Sequence, residues 1–441
     1  MADAISASQP PPRILVVMID GLGDRAWLEL DGRTPLQAAR TPNLDALARA
    51  SATGILHSLG PGRAPGTELA HFVLLGFPAE EYPGRVVFEA AGCGFELSPA
   101  DVAFRALFSK VRRVGDGSLL LVEHFAEVDD RFCRAIAQEL GSLKHGGLTV
   151  SFEYTGARQG VLTVAGGASE DVTDCDPFFT GRSLAAVRPL DDACDPVAAR
   201  MTAEAVTAFL ENAYEVFRAN GPSTGNESLF LVIKWVGRKR ALPTFAQRTG
   251  MDGVIVGSGT LLTGIAAELG MGFRAVPMLA DARTDVEQRL TEARLAFDEG
   301  ADFVLAHTKV ADEAGHAKDP SLKRDVIAGI DRGLASLVDH AALAADTIIC
   351  VTADHGTPSG TGLIHSGDPV PVILSGPGIG ADAVEHFDER ACAGGSLGHL
   401  RGEDFMPVLL NARGTTRYLG ARLSAYVGLH WPEEYETFRV R

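Results

Sequence analysis

The sequence predicts a doubly wound, mostly parallel α/β sheet with a smaller inserted α+β domain, and three observations favour this fold class. Continuous apolar runs rich in β-branched residues recur along the chain, which is typical of strands buried on both faces of a parallel sheet. Helical segments lie between these runs, as in folds that alternate strands and helices. A central segment instead alternates with a period of two residues. The apolar runs are residues 14–19, 230–233, 253–256, 303–306, 347–351 and 370–374.

The first predicted strand, residues 14–19, ends at Asp20 and Gly21. A helix is predicted from Thr41, which suits an N-cap, with Pro42 at the first helical position. In doubly wound sheets the ligands bind at the carboxyl ends of the strands. We therefore expect Asp20 and the acidic residues that follow later strands to meet at one edge of the sheet.

The central residues, 104–240, are predicted to form the inserted domain. Alternating patterns at residues 148–154 and 160–164 indicate strands, and an alanine-rich amphipathic pattern from about 196 to 218 indicates a helix. The segments 13–103 and 241–441 would then form one discontinuous main domain, and residues 1–12 a disordered leader.

The composition narrows the class of protein. A chain of 441 residues exceeds what one hydrophobic core usually organises, so two domains are expected. The formal net charge is −17 and no segment interleaves basic with aromatic residues, which argues against nucleic acid and anionic membrane as partners. An anionic substrate is still compatible, because metal ions and a few basic side chains can reverse the local potential. A homo-oligomer is left open.

Cellular location is indicated by the cysteines and by the first residues. The six cysteines are scattered without a CxxC pair, which argues against a zinc knuckle or a disulfide framework and favours a reducing compartment. Residues 1–12 lack the basic start and apolar centre of a secretory signal, and no stretch of about 18 apolar residues occurs. These features predict a soluble cytoplasmic protein.

Acidic and imidazole side chains follow three of the apolar runs. Asp20 ends the first run, and the pairs Asp312/His316 and Asp354/His355 follow two later ones. The spacing of Asp312 and His316 places both side chains on one side of a helical turn. Taken singly, each motif could be a cap, a turn or a surface pair. Together at one sheet edge they favour a two-metal site, since mixed carboxylate and imidazole sets suit divalent ions.

Two further residues are candidates for the same site. His365 follows Asp354 closely enough to complete a site with Asp312 and His316, although a loop histidine is more often structural or solvated. Thr67 begins a segment of helical character, and a hydroxyl at a helix N-terminus lies in a field that attracts phosphate. Its plain alternative is an N-cap threonine. The residues alone do not make Thr67 a nucleophile.

Over nearly its whole length the chain resembles the archaeal type of cofactor-independent phosphoglycerate mutase, within the alkaline phosphatase superfamily of metalloenzymes. The resemblance depends on many motifs that occur in the expected order. They are residues 19–25, 34–39, 41–45, 312–316, 354–355, 368–371, 375–378, 395–398 and 401–402.

The resemblance implies a division of the ligands between two ions. Asp20, Thr67, Asp354 and His355 would surround one ion, and Asp312, His316 and His365 would hold the other. The hydroxyl of Thr67 would attack a phosphoryl group in line, while the ions stabilise the attacking and leaving oxygens. The inserted domain would grip the rest of the substrate and exclude water. Histidine ligands favour Mn²⁺ or Zn²⁺ over Mg²⁺, and no 2,3-bisphosphoglycerate is implied as a cofactor.

The chain departs from the family pattern at the nucleophile and in the expected substrate pocket. Thr67-Glu68 stands where the family usually has serine and aspartate. Lys234-Trp235-Val236-Gly237 replaces an Arg-Gly-Ala-Gly stretch, and lysine loses the bidentate recognition that arginine offers. Asp176-Pro177-Phe178 lacks the imidazole of an Asp-Pro-His pattern, whereas Arg85 is kept. The expected substrate-binding residues are Arg85, Lys234 and Arg238.

The resemblance and these departures imply two enzymatic functions, and a third, non-catalytic function is weighed against them. The first is interconversion of 3-phosphoglycerate and 2-phosphoglycerate, or of a related phosphorylated small acid, through a phosphothreonine. The alternative is a metal-dependent hydrolase of a phosphate ester, phosphodiester or phosphonate on the same scaffold. A non-catalytic binding protein would be expected to lack a ligand of the predicted set, and none is missing.

Overall fold

The computed structural model describes residues 10–222, 225–339, 346–360, 362–416 and 439–440. The chain divides into two compact units, Met1–Tyr82 with Leu242–Arg441, and Pro83–Ala241. The inserted domain was expected to begin at residue 104, and the second unit begins at Pro83. Residues 1–9 of the expected leader lie outside the described residues.

The described residues form fourteen strands. In chain order these are β1 Arg13–Ile19, β2 Ala52–His57, β3 Val102–Arg113, β4 Leu119–Glu123, β5 Ser142–His145, β6 Leu148–Gly156, β7 Gln159–Ala165, β8 Glu227–Gly237, β9 Gly253–Gly257, β10 Gly272–Ala275, β11 Phe303–Thr308, β12 Thr347–Thr352, β13 Val370–Ser375 and β14 Gly398–Arg401.

The helices occupy most of the chain between these strands. They are α1 Pro35–Ala38, α2 Pro42–Arg49, α3 Thr67–Leu74, α4 Arg85–Gly92, α5 Asp130–Leu140, α6 Pro196–Asn220, α7 Phe245–Thr249, α8 Thr260–Glu268, α9 Ala282–Asp298, α10 Val310–His316, α11 Pro320–Gly333, α12 Ala335–Asp339 and α13 Gly402–Arg413. Within these described residues, no helix combines the length and apolar character that a membrane span requires. Helix α2 starts at Pro42 with Thr41 at the N-cap, as predicted.

The first unit contains an eight-stranded sheet with the order β10-β9-β11-β1-β12-β13-β2-β14. The strands β10, β9, β11, β1 and β12 pair in parallel, and helices lie between them in the sequence, so the predicted α/β class is confirmed. Strand β13 is antiparallel to both of its neighbours, β12 and β2. Its prediction as a parallel strand was wrong, because an apolar run reports burial on both faces and not strand direction.

The second unit contains a separate antiparallel sheet with the order β4-β3-β7-β6-β5, and β8 also pairs with β3. The alternating segments form β6 and β7, and the amphipathic segment forms α6, as predicted. Residues 230–233, which were assigned to the main parallel sheet, lie in β8 of this antiparallel sheet. Helix α6 packs against β8, which explains why that strand is as apolar as a parallel one.

The order β11-β1-β12 decides where the acidic residues meet. Strand β1 pairs in parallel with β11 on one side and with β12 on the other. All three strands therefore end at the same edge of the sheet. Asp20 follows β1 directly, Asp312 lies in the helix after β11, and Asp354 follows β12 by one residue.

Candidate metal centre

Three carboxylates lie together at this edge of the sheet and are almost completely buried. Asp20 and Asp354 have no exposed surface, and Asp312 is 1% exposed. Both oxygens of Asp20 and Oδ2 of Asp354 are buried without a hydrogen-bond partner among the described residues. Buried charges in proteins are normally paired or coordinate a metal. A bound cation would supply the partner that these buried carboxylate oxygens lack.

One candidate group consists of Asp312, His316 and His365, whose ligand atoms lie within 4.8 Å of one another. Asp312 and His316 lie one turn apart on α10, and Nε2 of His316 is 3.2 Å from Oδ1 of Asp312. Nε2 of His365 is 3.7 Å from the same oxygen. Nδ1 of His365 lies 2.8 Å from the carbonyl oxygen of Pro65, so it carries the proton and leaves Nε2 with a free lone pair.

The second candidate group consists of Asp20, Asp312 and His355. Nε2 of His355 lies 3.3 Å from Oδ1 of Asp20 and 3.3 Å from Oδ2 of Asp354. It is also 3.2 Å from the hydroxyl oxygen of Thr67. The structure therefore brings together all four residues expected around one ion, and Asp312 belongs to both candidate groups.

Burial of these carboxylates and the repulsion between them change their pKa values. Burial, followed by the charge of Asp312, raises the pKa of Asp20 to about 7. The pKa of Asp354 is raised well above its ordinary value, first by burial and then by Asp20. Burial alone would raise the pKa of Asp312 too, but the hydrogen bond with His316 and nearby imidazoles lower it overall. A divalent cation would relieve the repulsion that raises the first two pKa values, so the residues fit a metal chemically.

Thr357 links the two groups through hydrogen bonds. Its hydroxyl donates to Oδ1 of Asp312 at 2.6 Å and lies 3.3 Å from Nδ1 of His355. Since that hydroxyl proton is committed to Asp312, the Thr357 oxygen accepts from Nδ1–H of His355. Nε2 of His355 then presents a lone pair towards Thr67 and Asp20. Burial lowers the pKa of His355 well below its ordinary value, which keeps the imidazole neutral.

Gly21 shows how closely the backbone is packed under the site. Its φ is +67°, and a Cβ built there would lie 2.6 Å from Oγ1 of Thr357 and 2.8 Å from Cα of Asp312. Its amide donates to Oδ1 of Asp354 at 3.2 Å. Only glycine fits this position, because it combines a left-handed conformation with close backbone contact.

Thr67 is the first residue of α3, and the N-cap is Gly66. The N-cap alternative for Thr67 is therefore wrong, and its side chain is directed to His355 instead of to the helix backbone. The hydroxyl lies at a helix N-terminus, where the helix dipole and the backbone N–H groups favour a phosphate.

Sequence reasoning missed two buried histidines at this site, His71 and His307. Nδ1 of His71 is 2.7 Å from the carbonyl oxygen of Thr67 and 3.6 Å from Oδ2 of Asp354. Nε2 of His307 is 3.2 Å from Oδ2 of Asp20. Burial is the main cause that lowers the pKa of His71 to about 4 and that of His307 to about 3, so both are neutral. A signal existed for His71, because it follows Thr67 at the same i,i+4 spacing that separates Asp312 from His316.

Lys309 is a further residue that sequence reasoning did not single out. Its Nζ lies 3.7 Å from Oδ2 of Asp312 and 3.1 Å from Oε1 of Glu313. Burial would lower the pKa of Lys309, but the nearby carboxylates, Asp20 first, raise it overall. The lysine is therefore a fixed positive charge next to the carboxylate cluster.

The expected substrate-binding residues all belong to the second unit. Arg85 forms an ion pair with Glu89 at 3.1 Å, and Nζ of Lys234 donates to Asp176 at 2.8 Å. Both cations lie against the ring of Trp235. Arg238 is different, since its guanidinium donates to the carbonyl oxygen of Ala168.

An imidazole is present beside Asp176, although position 178 is a phenylalanine. Nε2 of His124 lies 2.9 Å from Oδ1 of Asp176, the carboxylate that also accepts from Lys234. His124 follows β4 and is distant from Asp176 in the sequence. No local motif could have revealed this pair.

Comparisons with known proteins show the family to which this chain belongs. Residues 12–412 match the model of the metalloenzyme superfamily. The 2,3-bisphosphoglycerate-independent phosphoglycerate mutase of Methanopyrus kandleri is 37% identical over 426 residues, which cover 93% of this chain and 98% of that protein. That of Methanosphaera stadtmanae is 35% identical, over 92% of this chain and 99% of that protein.

Solved structures of similar proteins indicate the same family. The cofactor-independent phosphoglycerate mutase of Thermoplasma acidophilum is 30% identical with a TM-score of 0.60, over 91% of this chain and 100% of that one. The PH0037 protein of Pyrococcus horikoshii has a TM-score of 0.71 at 26% identity, over 94% of this chain and 100% of that one. This chain therefore belongs to the metalloenzyme superfamily and, within it, to the family of archaeal-type, 2,3-bisphosphoglycerate-independent phosphoglycerate mutases.

Proposed function

We propose that this chain interconverts 3-phosphoglycerate and 2-phosphoglycerate, or the isomers of a closely related phosphorylated small acid, through a phosphothreonine at Thr67. The observation that carries the proposal is the position of the Thr67 hydroxyl. It lies at the N-terminus of α3 and 3.2 Å from Nε2 of His355, next to Asp20 and Asp354, whose carboxylates present buried oxygens that have no hydrogen-bond partner among the described residues. A nucleophile at a site built for cations is the arrangement that phosphoryl transfer requires.

The proposal includes two divalent ions. One would be held by Asp20, Thr67, Asp354 and His355, and the other by Asp312, His316 and His365. When bound, the ions would supply electrostatic stabilisation of the attacking, leaving and equatorial oxygens of the phosphoryl group. Mn²⁺ and Zn²⁺ are the proposed metals, since imidazole nitrogen is a poor ligand for Mg²⁺. The low pKa of His355 supports its place as a ligand, because neutral imidazole is the form that coordinates metal.

The chain's own residues account for the transfer. The Thr67 hydroxyl loses its proton as its oxygen forms a bond to phosphorus, the bond from phosphorus to the substrate oxygen breaks, and the departing oxygen takes up one proton. In the second step the other hydroxyl of the bound acid loses its proton and attacks the phosphothreonine, the bond from phosphorus to the Thr67 oxygen breaks, and that oxygen takes up one proton, which restores Thr67. The backbone amides at the N-terminus of α3 would hold the phosphoryl oxygens during both steps.

The cations of the second unit would bind the anionic groups of the substrate. Arg85 and Lys234 are supported by their position around one aromatic ring, Trp235. Arg238 remains a proposed contact with less support, since its guanidinium is engaged by the Ala168 carbonyl. A cytoplasmic location is also proposed, because all six cysteines are free thiols, as a reducing compartment would keep them.

The decisive experiment follows the fate of the phosphoryl group. Protein loaded with Mn²⁺, and in parallel with Zn²⁺, is incubated with 3-phosphoglycerate in the absence of 2,3-bisphosphoglycerate. Formation of 2-phosphoglycerate is measured with coupled enolase, and free phosphate is measured in the same samples. Thr67→Ala serves as the inactive control and Thr67→Ser as the conservative one.

The expected result is isomer without equivalent phosphate release, lost in Thr67→Ala and kept in Thr67→Ser. Release of phosphate without isomer would replace the mutase by a hydrolase on the same scaffold. Full turnover by Thr67→Ala would overturn the role of Thr67 in either reaction.

A further inference from the structure

Trp235 lies in an irregular part of β8 with an unusual backbone conformation. Lys234 pairs with Arg105 of β3 and Gly237 pairs with Ala103, so β8 has one residue more than β3 in this stretch. The φ of Trp235 is +58°. A bulge with a left-handed residue usually has glycine there, because bulky side chains are disfavoured in that conformation.

Close backbone packing holds Trp235 next to the start of α4. The amide of Trp235 donates to Asp174 at 3.1 Å. A Cβ built on Gly84, whose φ is +95°, would lie 2.6 Å from the carbonyl oxygen of Val236. The end of β8 therefore touches the backbone that precedes Arg85, the first residue of α4.

Three cations surround the indole of Trp235. The guanidinium carbon of Arg85 is 3.7 Å from the ring centroid, Nζ of Lys234 is 4.3 Å away, and the guanidinium carbon of Arg105 is 5.0 Å away. Arg105 and Lys234 are direct cross-strand partners, and like charges in such positions repel each other. An aromatic face attracts each cation and makes their close approach tolerable.

A second aromatic residue in the left-handed region lies near the same lysine. Phe178 has a φ of +70°, is 50% exposed, and its ring centroid is 5.4 Å from Nζ of Lys234. Two aromatic residues in a disfavoured conformation, together with a cross-strand pair of like charges, are costly features that cluster at functional sites. None of them is needed to continue the sheet.

We propose that Trp235 is a positioning residue that determines substrate specificity, because its indole holds the guanidinium of Arg85 and the ammonium of Lys234 as one cationic face that binds the carboxylate of the substrate. The inference rests on the proposed function, in which the phosphate of the substrate reacts with Thr67 and the carboxylate is the other anionic group. Guanidinium and ammonium groups also bind phosphate, so the test includes both anions.

Variants at position 235 separate this role from a structural one. Trp235→Gly suits the left-handed conformation and should fold with an unchanged or higher Tm. It removes the indole, so KM for 3-phosphoglycerate should rise about tenfold, while kcat changes less than about threefold. Trp235→Phe keeps an aromatic face and should have an intermediate KM. An unchanged KM in Trp235→Gly would overturn the proposal.

Intrinsic fluorescence gives a readout that does not depend on turnover. Each of D-glycerate, inorganic phosphate and neutral glycerol is titrated into the full-length protein, into Trp235→Phe and into Trp27→Phe. We expect D-glycerate to change the emission of the wild-type protein and of Trp27→Phe but not that of Trp235→Phe. Glycerol should cause no change. A response that persists in Trp235→Phe would contradict the proposal.

The two readouts distinguish failure of this inference from failure of the proposed function. An emission change with D-glycerate in a protein that does not isomerise 3-phosphoglycerate would support the carboxylate site and overturn the mutase. Isomerisation of 3-phosphoglycerate without any effect of Trp235→Gly on KM would support the mutase and overturn the carboxylate site at Trp235. A stronger response to inorganic phosphate than to D-glycerate would overturn the assignment of the carboxylate to this face.

Discussion

The hydroxyl oxygen of Thr67 lies 3.2 Å from Nε2 of His355, and that nitrogen also faces Asp20 and Asp354 at 3.3 Å each. These residues come from the start of α3, the end of β1 and the loop after β12. The contact joins the candidate nucleophile to the candidate ligand set through a single nitrogen atom. Changes to the hydroxyl, to its neighbours and to their charges should therefore have different and measurable effects.

Thr67→Val tests the hydroxyl with little change in side-chain volume. We expect kcat to fall roughly a thousandfold or more, because no nucleophilic oxygen remains, whereas Thr67→Ser should retain much of the activity. Steady-state kinetics with 3-phosphoglycerate and metal analysis of each variant are the measurements. Activity of Thr67→Val within about tenfold of the wild type would rule out the phosphothreonine.

Thr357→Val tests the hydrogen bonds that orient the ligands. The Thr357 hydroxyl donates to Asp312 and lies next to Nδ1 of His355, so its loss should weaken Mn²⁺ affinity about 10- to 100-fold. Titration of Mn²⁺ into chelator-treated protein measures the effect. Thr357→Ser keeps the hydroxyl and is the matched control. Equal affinities for the two variants would mean that these hydrogen bonds do not orient the ligands.

Asp354→Asn should have opposite effects on stability with and without metal. Burial first, and then repulsion with Asp20 and Asp312, raise the pKa of Asp354. In metal-free protein the variant removes both costs, so the free energy of unfolding should increase by about 1 to 3 kcal/mol. In excess Mn²⁺ the same variant should be less stable than the wild type, because a ligand is lost. Urea unfolding in chelator and in Mn²⁺ tests the reversal.

Asp382→Asn is a contrasting control for that experiment. The Asp382 carboxylate accepts from the amides of Thr53 at 2.7 Å and Ser396 at 2.9 Å, and although burial opposes it, hydrogen bonding lowers the pKa of Asp382 to about 2. Its neutralisation should therefore destabilise the protein by about 1 to 2 kcal/mol whether or not metal is present. If both asparagine variants changed stability in the same direction without metal, repulsion would not explain the cluster.

Glu389→Gln tests how the stability of the protein depends on pH at a carboxyl group outside the metal centre. Burial raises the pKa of Glu389 to about 7, and its Oε1 has no hydrogen-bond partner among the described residues. The folded protein therefore holds a proton that the unfolded chain loses near pH 4.5, so wild-type stability should fall as the pH rises from about 4.5 to 7.

In Glu389→Gln this part of the decline should be absent. The variant should be more stable than the wild type at pH 8, by about 3 kcal/mol, and similar to it at pH 4. Urea unfolding of both proteins across this range is the measurement. A constant difference between them at every pH would show that Glu389 does not titrate in this way.

Local patterns in the sequence were sufficient to predict the strand ends and the helical turn of the metal centre. Asp20 follows an apolar run directly, Asp312 and Asp354 follow later runs after a few residues, and i,i+4 spacing is fixed by the geometry of a helix. The direction of β13 could not be predicted in this way, because pairing direction depends on the chain path and not on apolar character.

Other parts of the site depend on contacts between distant segments. His307 lies in β11 directly after its apolar run and becomes part of the site only because β1 pairs beside it. His124 and Asp176 come together through the fold of the second unit. The left-handed conformation of Trp235 could not be predicted from the sequence either. That conformation is unfavourable for a bulky side chain, so no sequence rule would assign it to a tryptophan.

Asp312 belongs to both candidate ligand groups, and this has a thermodynamic consequence. Binding of a cation to one group changes the charge and the position of a ligand that the other group also uses. The two binding free energies are therefore coupled, and the coupling must act with equal size in both directions. Metal uptake by this protein should then follow a cooperative isotherm, positive or negative, instead of the sum of two independent ones, and replacement of Asp312 alone should abolish that cooperativity.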